Sequence, residues 1–333
     1  MNEQVPVAAD VRPIAKMPIS LVLGSGGARG YAHIGVIEEL VAQGYDIRSI
    51  AGSSMGALVG GVYAAGKLDN YRDWVLPLAR MDVLRLLDIT FRGGGFIKGN
   101  RIINALREHV GDVAIEDLPV SYTAVAVDLD AQREVWFSSG SLFEAIRASI
   151  AIPTVFRPHR YQGRLLVDGG LLNPLPVSPT LRDLTDATIA VDVNGPEEPT
   201  ASSGVASTWP GLDAHGELPA HESDGDGEAD GDGERSKGAV RRMFASMLGK
   251  SGTEQTTRDP GLLELFARSL DTVQETITRL KLAAQPPDLL ITIPRNICTF
   301  YDFHRAETVI EWGRSRTREA LERWTPPKGR RHL

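Results

Sequence analysis

Three short glycine-containing segments carry residue types suited to acyl transfer: Gly24-Ser25-Gly26-Gly27-Ala28-Arg29-Gly30, Gly52-Ser53-Ser54-Met55-Gly56 and Asp168-Gly169-Gly170. The second has the G-x-S-x-G spacing of a nucleophile elbow, in which a serine is held on a tight turn between a strand and a helix. Such a turn crowds the residues two before and two after the serine, and Gly52 and Gly56 fit there because neither has a Cβ. Ser54 would then lie at the positive end of the following helix, which favours negative charge developing nearby. Ser53 does not meet the spacing, because Ala51 and Met55 occupy its flanking positions. Taken alone, the segment is equally compatible with a Gly/Ser turn that only packs a helix onto a strand.

The first segment follows a buried-strand pattern, residues 19–23, and precedes a helical one, residues 32–40. A glycine-rich loop between strand and helix exposes unpaired backbone N–H groups at the helix start, where an anion is welcome. Such donors suit the oxyanion of an acyl-transfer intermediate, and Arg29 adds a positive charge beside them. A dinucleotide-binding G-x-G-x-x-G loop fits poorly, since Arg29 stands where its third glycine belongs, and the Gly-Lys-Ser/Thr end of a P-loop is absent. Asp168 follows the strand-like run 163–167, at the carboxyl end of a strand, where open α/β sheets place ligands. A carboxylate there can accept the Ser54 proton directly; a solvated Asp-Gly turn is the structural alternative.

Together the three segments resemble the signature of the patatin-like phospholipase family, and most of all its bacterial branch related to the catalytic domain of neuropathy target esterase. Residues 147–156 resemble a further block of the family that precedes the catalytic Asp, and Asp302-Phe303-His304-Arg305-Ala306 is similar to the same branch. The likeness covers most of residues 17–195 and 260–320. It implies an α/β fold, a mainly parallel central sheet with helices on both faces in a three-layer sandwich related to the α/β-hydrolases. It implies a dyad with Ser54 as nucleophile and Asp168 as base, and an oxyanion hole formed by the backbone of Gly26, Gly27 and Ala28 with Arg29 nearby. It implies a lipid acyl hydrolase of phospholipase A or lysophospholipase type, acting through an acyl-enzyme on a lipid or membrane-surface substrate, with no metal or organic cofactor. A non-catalytic lipid-binding or regulatory module keeping the same fold is the alternative. The sequence names no substrate-binding residue, headgroup preference or oligomeric state.

The order Ser, Asp, His is also that of the α/β-hydrolase triad. His304 lies downstream of Asp168, so a Ser54–Asp168–His304 triad stands as an alternative to the dyad. His33 reads as a locally bonded or packed side chain, and His109, His159, His215, His221 and His332 show no metal-ligand spacing with one another.

With 333 residues and 42% hydrophobic content the chain can bury a large core. A net charge of −7 argues against general nucleic-acid binding. The single cysteine, Cys298, rules out an internal disulfide and fits a reducing compartment. No stretch is apolar for long enough to span a bilayer, and residues 1–17 lack the apolar core of a signal peptide. These features predict a cytoplasmic protein and leave room for peripheral contact at the inner membrane surface.

Strand patterns fall at 19–23, 47–51, 121–128, 133–137, 164–167, 187–193 and 289–293. Helical patterns fall at 31–43, 55–65, 69–79, 99–109, 141–147, 176–184 and 304–323. Leu262, Leu263, Phe266, Leu270, Val273, Ile277 and Leu280 form an apolar stripe on a further helix, expected to pack on the sheet or form a dimer face. The expected organisation is a flexible segment over 1–17, a catalytic core over 18–195 and an acidic insertion over 196–258. The rest of the same domain follows over 259–325, with a tail over 326–333. Glu217 to Glu234 holds eight acidic residues, and the EF-hand ligand pattern is not met there. A short basic amphipathic helix over 238–249 is a candidate lipid contact or lid.

Overall fold

A computed structural model describes residues 17–86, 88, 95–199 and 262–327. Of these, residues 17–197 and 262–327 belong to one compact unit. The expected N-terminal segment as far as residue 16, the acidic insertion from residue 200, the 238–249 helix and the tail from residue 328 lie outside the described residues.

In chain order the elements are β1 (Met17–Leu23), α1 (Ala32–Ala42), β2 (Tyr45–Ser53), α2 (Met55–Ala64), α3 (Leu68–Val75), α4 (Arg80–Leu86), β3 (Gly95–Ile97), α5 (Asn100–Val110) and β4 (Ser121–Asp128). They continue with β5 (Arg133–Phe137), α6 (Leu142–Ser149), β6 (Thr154–Phe156), β7 (His159–Tyr161), β8 (Arg164–Asp168), β9 (Ala187–Gly195), α7 (Leu262–Ala284), β10 (Leu289–Pro294) and α8 (Ala306–Arg323). Eight strands form one sheet in the order β10-β9-β1-β2-β4-β8-β7, with β5 also paired to β4. The ladders from β10 to β4 are parallel, and β5, β7 and β8 join antiparallel. A parallel sheet must be covered on both faces, and the central strands show this in their alternation. Leu21, Leu23, Ile189 and Val191 enter the main core with α1, α2 and α8. The intervening Val22 and Ala190 enter a second core with Leu175, Val177 and Leu282 of α7. The result is the expected three-layer α/β sandwich.

One expectation needs correction. Residues 176–184 form no α-helix, only a 3-10 turn at Ser178–Thr180, because Pro176 and Pro179 fall within the run and remove backbone donors. The stripe on α7 is not simply a packing face: Val273 and Leu280 are 49% and 65% exposed. Beside Leu282, the inward face of α7 carries the buried Thr278, Gln274, which accepts from the Ser25 hydroxyl at 3.5 Å, and Lys281, which donates to Glu134 at 2.6 Å. The short strands β3, β6 and β7, each three residues long, have no sequence pattern to reveal them. β7 and β8 are joined at Gln162-Gly163, both at positive φ, the conformation that a two-residue hairpin turn demands.

α1 and α8 meet backbone to backbone. A Cβ on Gly35 would lie 1.9 Å from the Ile310 carbonyl oxygen, and one on Gly313 would lie 2.1 Å from that of Ala32. Gly35→Ala gains about 1 kcal/mol of helix propensity but forces the two helices apart, and overpacking of this kind costs about 3 kcal/mol or more. The net expected outcome is a lower midpoint in urea unfolding.

Candidate active site

The elbow forms as its glycines require. β2 ends at Ser53 and α2 starts at Met55, with Ser54 between them at φ 55° and ψ −123°, a region that side chains other than glycine rarely adopt. A Cβ on Gly52 would lie 2.5 Å from the carbonyl of Gly56, and one on Gly56 would lie 2.1 Å from the Leu23 oxygen. The Ser54 amide donates to the Ser149 hydroxyl at 2.9 Å, and that hydroxyl donates in turn to the Val125 carbonyl at 2.6 Å. Ser149, fully buried at the end of α6, therefore fastens the strained residue to β4. Sequence reasoning gave Ser149 no role; its only signal was a place in the 147–156 block.

Asp168 reaches Ser54 through sheet topology. β5 pairs with residues 124–128 of β4 on one edge. A strand has two edges, so β2, which pairs with 121–125, and β8, which pairs with 126–128, share the other. They approach end to end, with Ser53 opposite Val125 and Asp168 opposite Ala126. Residues more than a hundred positions apart in the chain thus come to adjacent rungs. Gly169 completes the approach, since a Cβ there would lie 2.1 Å from the Val125 oxygen and 2.7 Å from the Ser53 hydroxyl. The Asp168 amide donates to the Ala151 carbonyl at 3.0 Å, so the end of α6 and the residues just after it hold both Ser54 and Asp168.

Ser54 and Asp168 line one small cavity, together with Ser25, Gly26 and, from α7, Asp271 and Gln274. Asp168 Oδ1 accepts from the Gly170 amide at 2.7 Å. Its Oδ2 is buried with no hydrogen bond, although the Ser54 hydroxyl is near enough to favour the ionised form. Such contacts are commonly long in a free enzyme and tighten when substrate binds. Burial dominates: it raises the Asp168 pKa from 3.8 to about 7 against the pull of Ser54 and Gly170. A second cavity, of about 110 Å³, is lined by aliphatic and aromatic side chains including Leu58, Trp74, Ile102 and Leu106. Ser54 and Ile152 line both cavities, so the serine stands between the space that holds the Asp168 carboxyl and the apolar one.

The glycine loop is less uniform than expected. The Ala28 amide donates to the Phe300 carbonyl at 2.9 Å and is not free for an oxyanion, which corrects the expectation for that residue. The amides of Gly24 and Ser25 are also taken, by Val191 and Pro174. Gly27 opens the 3-10 turn Gly27–Tyr31 with Gly26 as its cap, and amides at that position have no partner within the turn. Arg29 is 5% exposed and lines neither cavity. Its Nε donates to Gly26 O at 3.3 Å, its Nη1 donates to Arg295 O at 3.3 Å, and its Nη2 lies 3.8 Å from Asp271. His33 donates from Nε2 to the Gly24 carbonyl at 2.8 Å, and burial lowers its pKa to about 4, as expected for a locally bonded side chain. His304 accepts from Arg80 Nε at 3.1 Å and lines neither cavity, which leaves the triad alternative without a geometric basis.

A family model for patatin-like phospholipases matches residues 21–181. An uncharacterized NTE family protein of Mycobacterium tuberculosis is 42% identical over 351 residues, 95% of each chain. The chain belongs to the patatin-like NTE family. Two longer relatives are similar over part of this NTE-family chain. Neuropathy target esterase sws of Drosophila melanogaster is 32% identical over 54% of this chain and 13% of its own. Lysophospholipase NTE1 of Yarrowia lipolytica is 32% identical over 57% of this chain and 14% of its own. Among the described residues no helix is long and apolar enough to cross a membrane.

The raised pKa of Asp168 has a consequence for stability. The folded chain keeps a proton that the unfolded chain releases between about pH 4 and pH 7, so this group makes stability fall as pH rises through that window. Asp168→Asn removes the ionisation. The variant is expected to melt several degrees above wild type at pH 8, with the difference closing towards pH 4 in thermal scans.

Proposed function

We propose that this chain is a serine lipid acyl hydrolase of phospholipase A or lysophospholipase type, acting through a Ser54–Asp168 dyad. One observation carries the reading: Ser54 is shared by a small cavity that holds a buried carboxyl and an apolar cavity suited to an acyl chain. Family membership, and the esterase and lysophospholipase names of the longer relatives, support the same reaction class.

In the proposed reaction Ser54 Oγ attacks the ester carbonyl carbon and its proton passes to Asp168 Oδ2, the carboxyl oxygen without a partner. The carbonyl oxygen becomes an oxyanion facing the Gly26 and Gly27 amides. As the tetrahedral intermediate collapses, the C–O bond to the lipid alcohol breaks and the alcohol leaves with the proton from Asp168. Water then attacks the acyl-enzyme and gives a proton to Asp168. That proton returns to Ser54 Oγ as the fatty acid departs. A carboxylate with pKa about 7 is a far stronger base than an ordinary aspartate and is still substantially ionised at neutral pH. No step requires a group other than the chain and water.

Purified protein assayed on p-nitrophenyl acyl esters and lysophospholipid micelles should release fatty acid, and Ser54→Ala should lose about 10⁴-fold or more of kcat. A fluorophosphonate should label wild type at Ser54 and not the variant. Wild type that releases no more fatty acid than Ser54→Ala on any of these substrates would favour the non-catalytic lipid-binding module instead. The acid limb of kcat/KM should fall near pH 7 rather than near pH 4, because Asp168 must be ionised in the free enzyme. His304→Ala should leave kcat/KM largely unchanged, and near-total loss in a folded variant would restore the triad.

A further inference from the structure

The Ser25–Gly26 peptide is held from its carbonyl end by a residue outside the three glycine segments. Asn194, next to last in β9, donates from Nδ2 to the Ser25 carbonyl oxygen at 2.6 Å. Its own amide donates to Asp192 Oδ1 at 2.9 Å. A trans peptide carries its C=O and N–H on opposite edges of one plane. Fastening Ser25 O to Asn194 therefore turns the Gly26 N–H away from β9, and Gly26 lines the cavity that holds Ser54 and Asp168. β9 also closes the other escape: a Cβ on Gly26 would lie 2.3 Å from Val193 Cγ2 and 3.3 Å from Asn194 Oδ1.

We propose that Asn194 is a positioning residue that aims the Gly26 amide at the oxyanion formed on Ser54 attack. The inference rests on the dyad reading above. A second observation sets it apart from a role in stability alone. Asn194 Oδ1 is buried with no hydrogen-bond partner, an arrangement that costs stability. Ser25 O accepts only, so the side-chain nitrogen must face it and the oxygen is left stranded. Aspartate has the same shape and no donor, and leucine has a similar volume and no polar atom.

The test compares wild type, Asn194→Asp and Asn194→Leu on a soluble p-nitrophenyl ester, with active sites titrated by a fluorophosphonate so that kcat is counted per reactive serine. Both variants should lose about tenfold to a hundredfold in kcat, less than the full loss of an oxyanion donor. KM should stay within about twofold, since the interaction is made only in the transition state. Affinity for an acyl trifluoromethyl ketone, which places an oxyanion in the site, should fall by the same factor as kcat/KM, while binding of the free fatty acid should not change. If the aspartate variant fails to fold, the leucine variant carries the comparison. Unchanged kcat in a folded variant, or a loss confined to KM or to the fraction of titratable sites, would overturn the inference and leave the dyad standing. Wild type without Ser54-dependent hydrolysis would overturn both.

Discussion

The site depends on one edge of one strand being used twice. β4 pairs with β2 along its first five residues and with β8 along its last three, so two strands running in opposite directions end at neighbouring rungs. Neither end can continue. β2 leaves the sheet through Ser54 at a positive φ, and β8 leaves through Gly169, which lies against the Val125 carbonyl. Any side chain at Gly52, Gly56 or Gly169 would collide with backbone. The turn that exposes the serine and the turn that delivers the carboxyl are thus a single steric problem. Ser149 and Ala151, a residue apart, fasten one turn each.

The electrostatics follow from what is kept away from Asp168. A nearby cation would hold the carboxyl in its usual acidic range and make it a poor base. The nearest basic member of the signature, Arg29, is directed at Asp271 and two backbone carbonyls instead. Burial outweighs the hydrogen bonding from Ser54 and Gly170 and lifts the pKa to about 7. On the proposed reading, the loss of stability that accompanies a buried ionisable group is the source of its reactivity.

The sequence made legible whatever depends on local rules. β4 and β5 span the residues that their patterns predict. The elbow is recognisable from its glycines and Asp168 from its place at a strand end. Contacts made by ordinary residues at long range were not legible. Ser149 and Asn194 act through side-chain hydrogen bonds to backbone 95 and 169 positions away, and a lone serine or asparagine has no periodicity to betray it. Ala28 looked like a free donor because only the folded chain brings Phe300 to it. Val273 and Leu280 share the helical spacing of the α7 stripe yet are exposed. Beside the packed Leu282, the inward face of α7 also meets polar partners, Ser25 and Glu134, that hydrophobic periodicity does not register.

Arg29 shows how a residue chosen for charge in a sequence pattern can serve geometry in the fold. Three different guanidinium nitrogens meet Gly26 O, Arg295 O and Asp271. A lysine has one charged nitrogen and could not meet three acceptors spread around a planar fork. The Nε bond fixes the carbonyl end of the Gly26–Gly27 peptide, as Asn194 fixes that of the Ser25–Gly26 peptide. By the planarity of the peptide, the two amides left over in the loop are each aimed from behind. On the proposed reading the oxyanion hole is therefore built by carbonyls that point away from it, those of Ser25 and Gly26, each held by a side-chain donor.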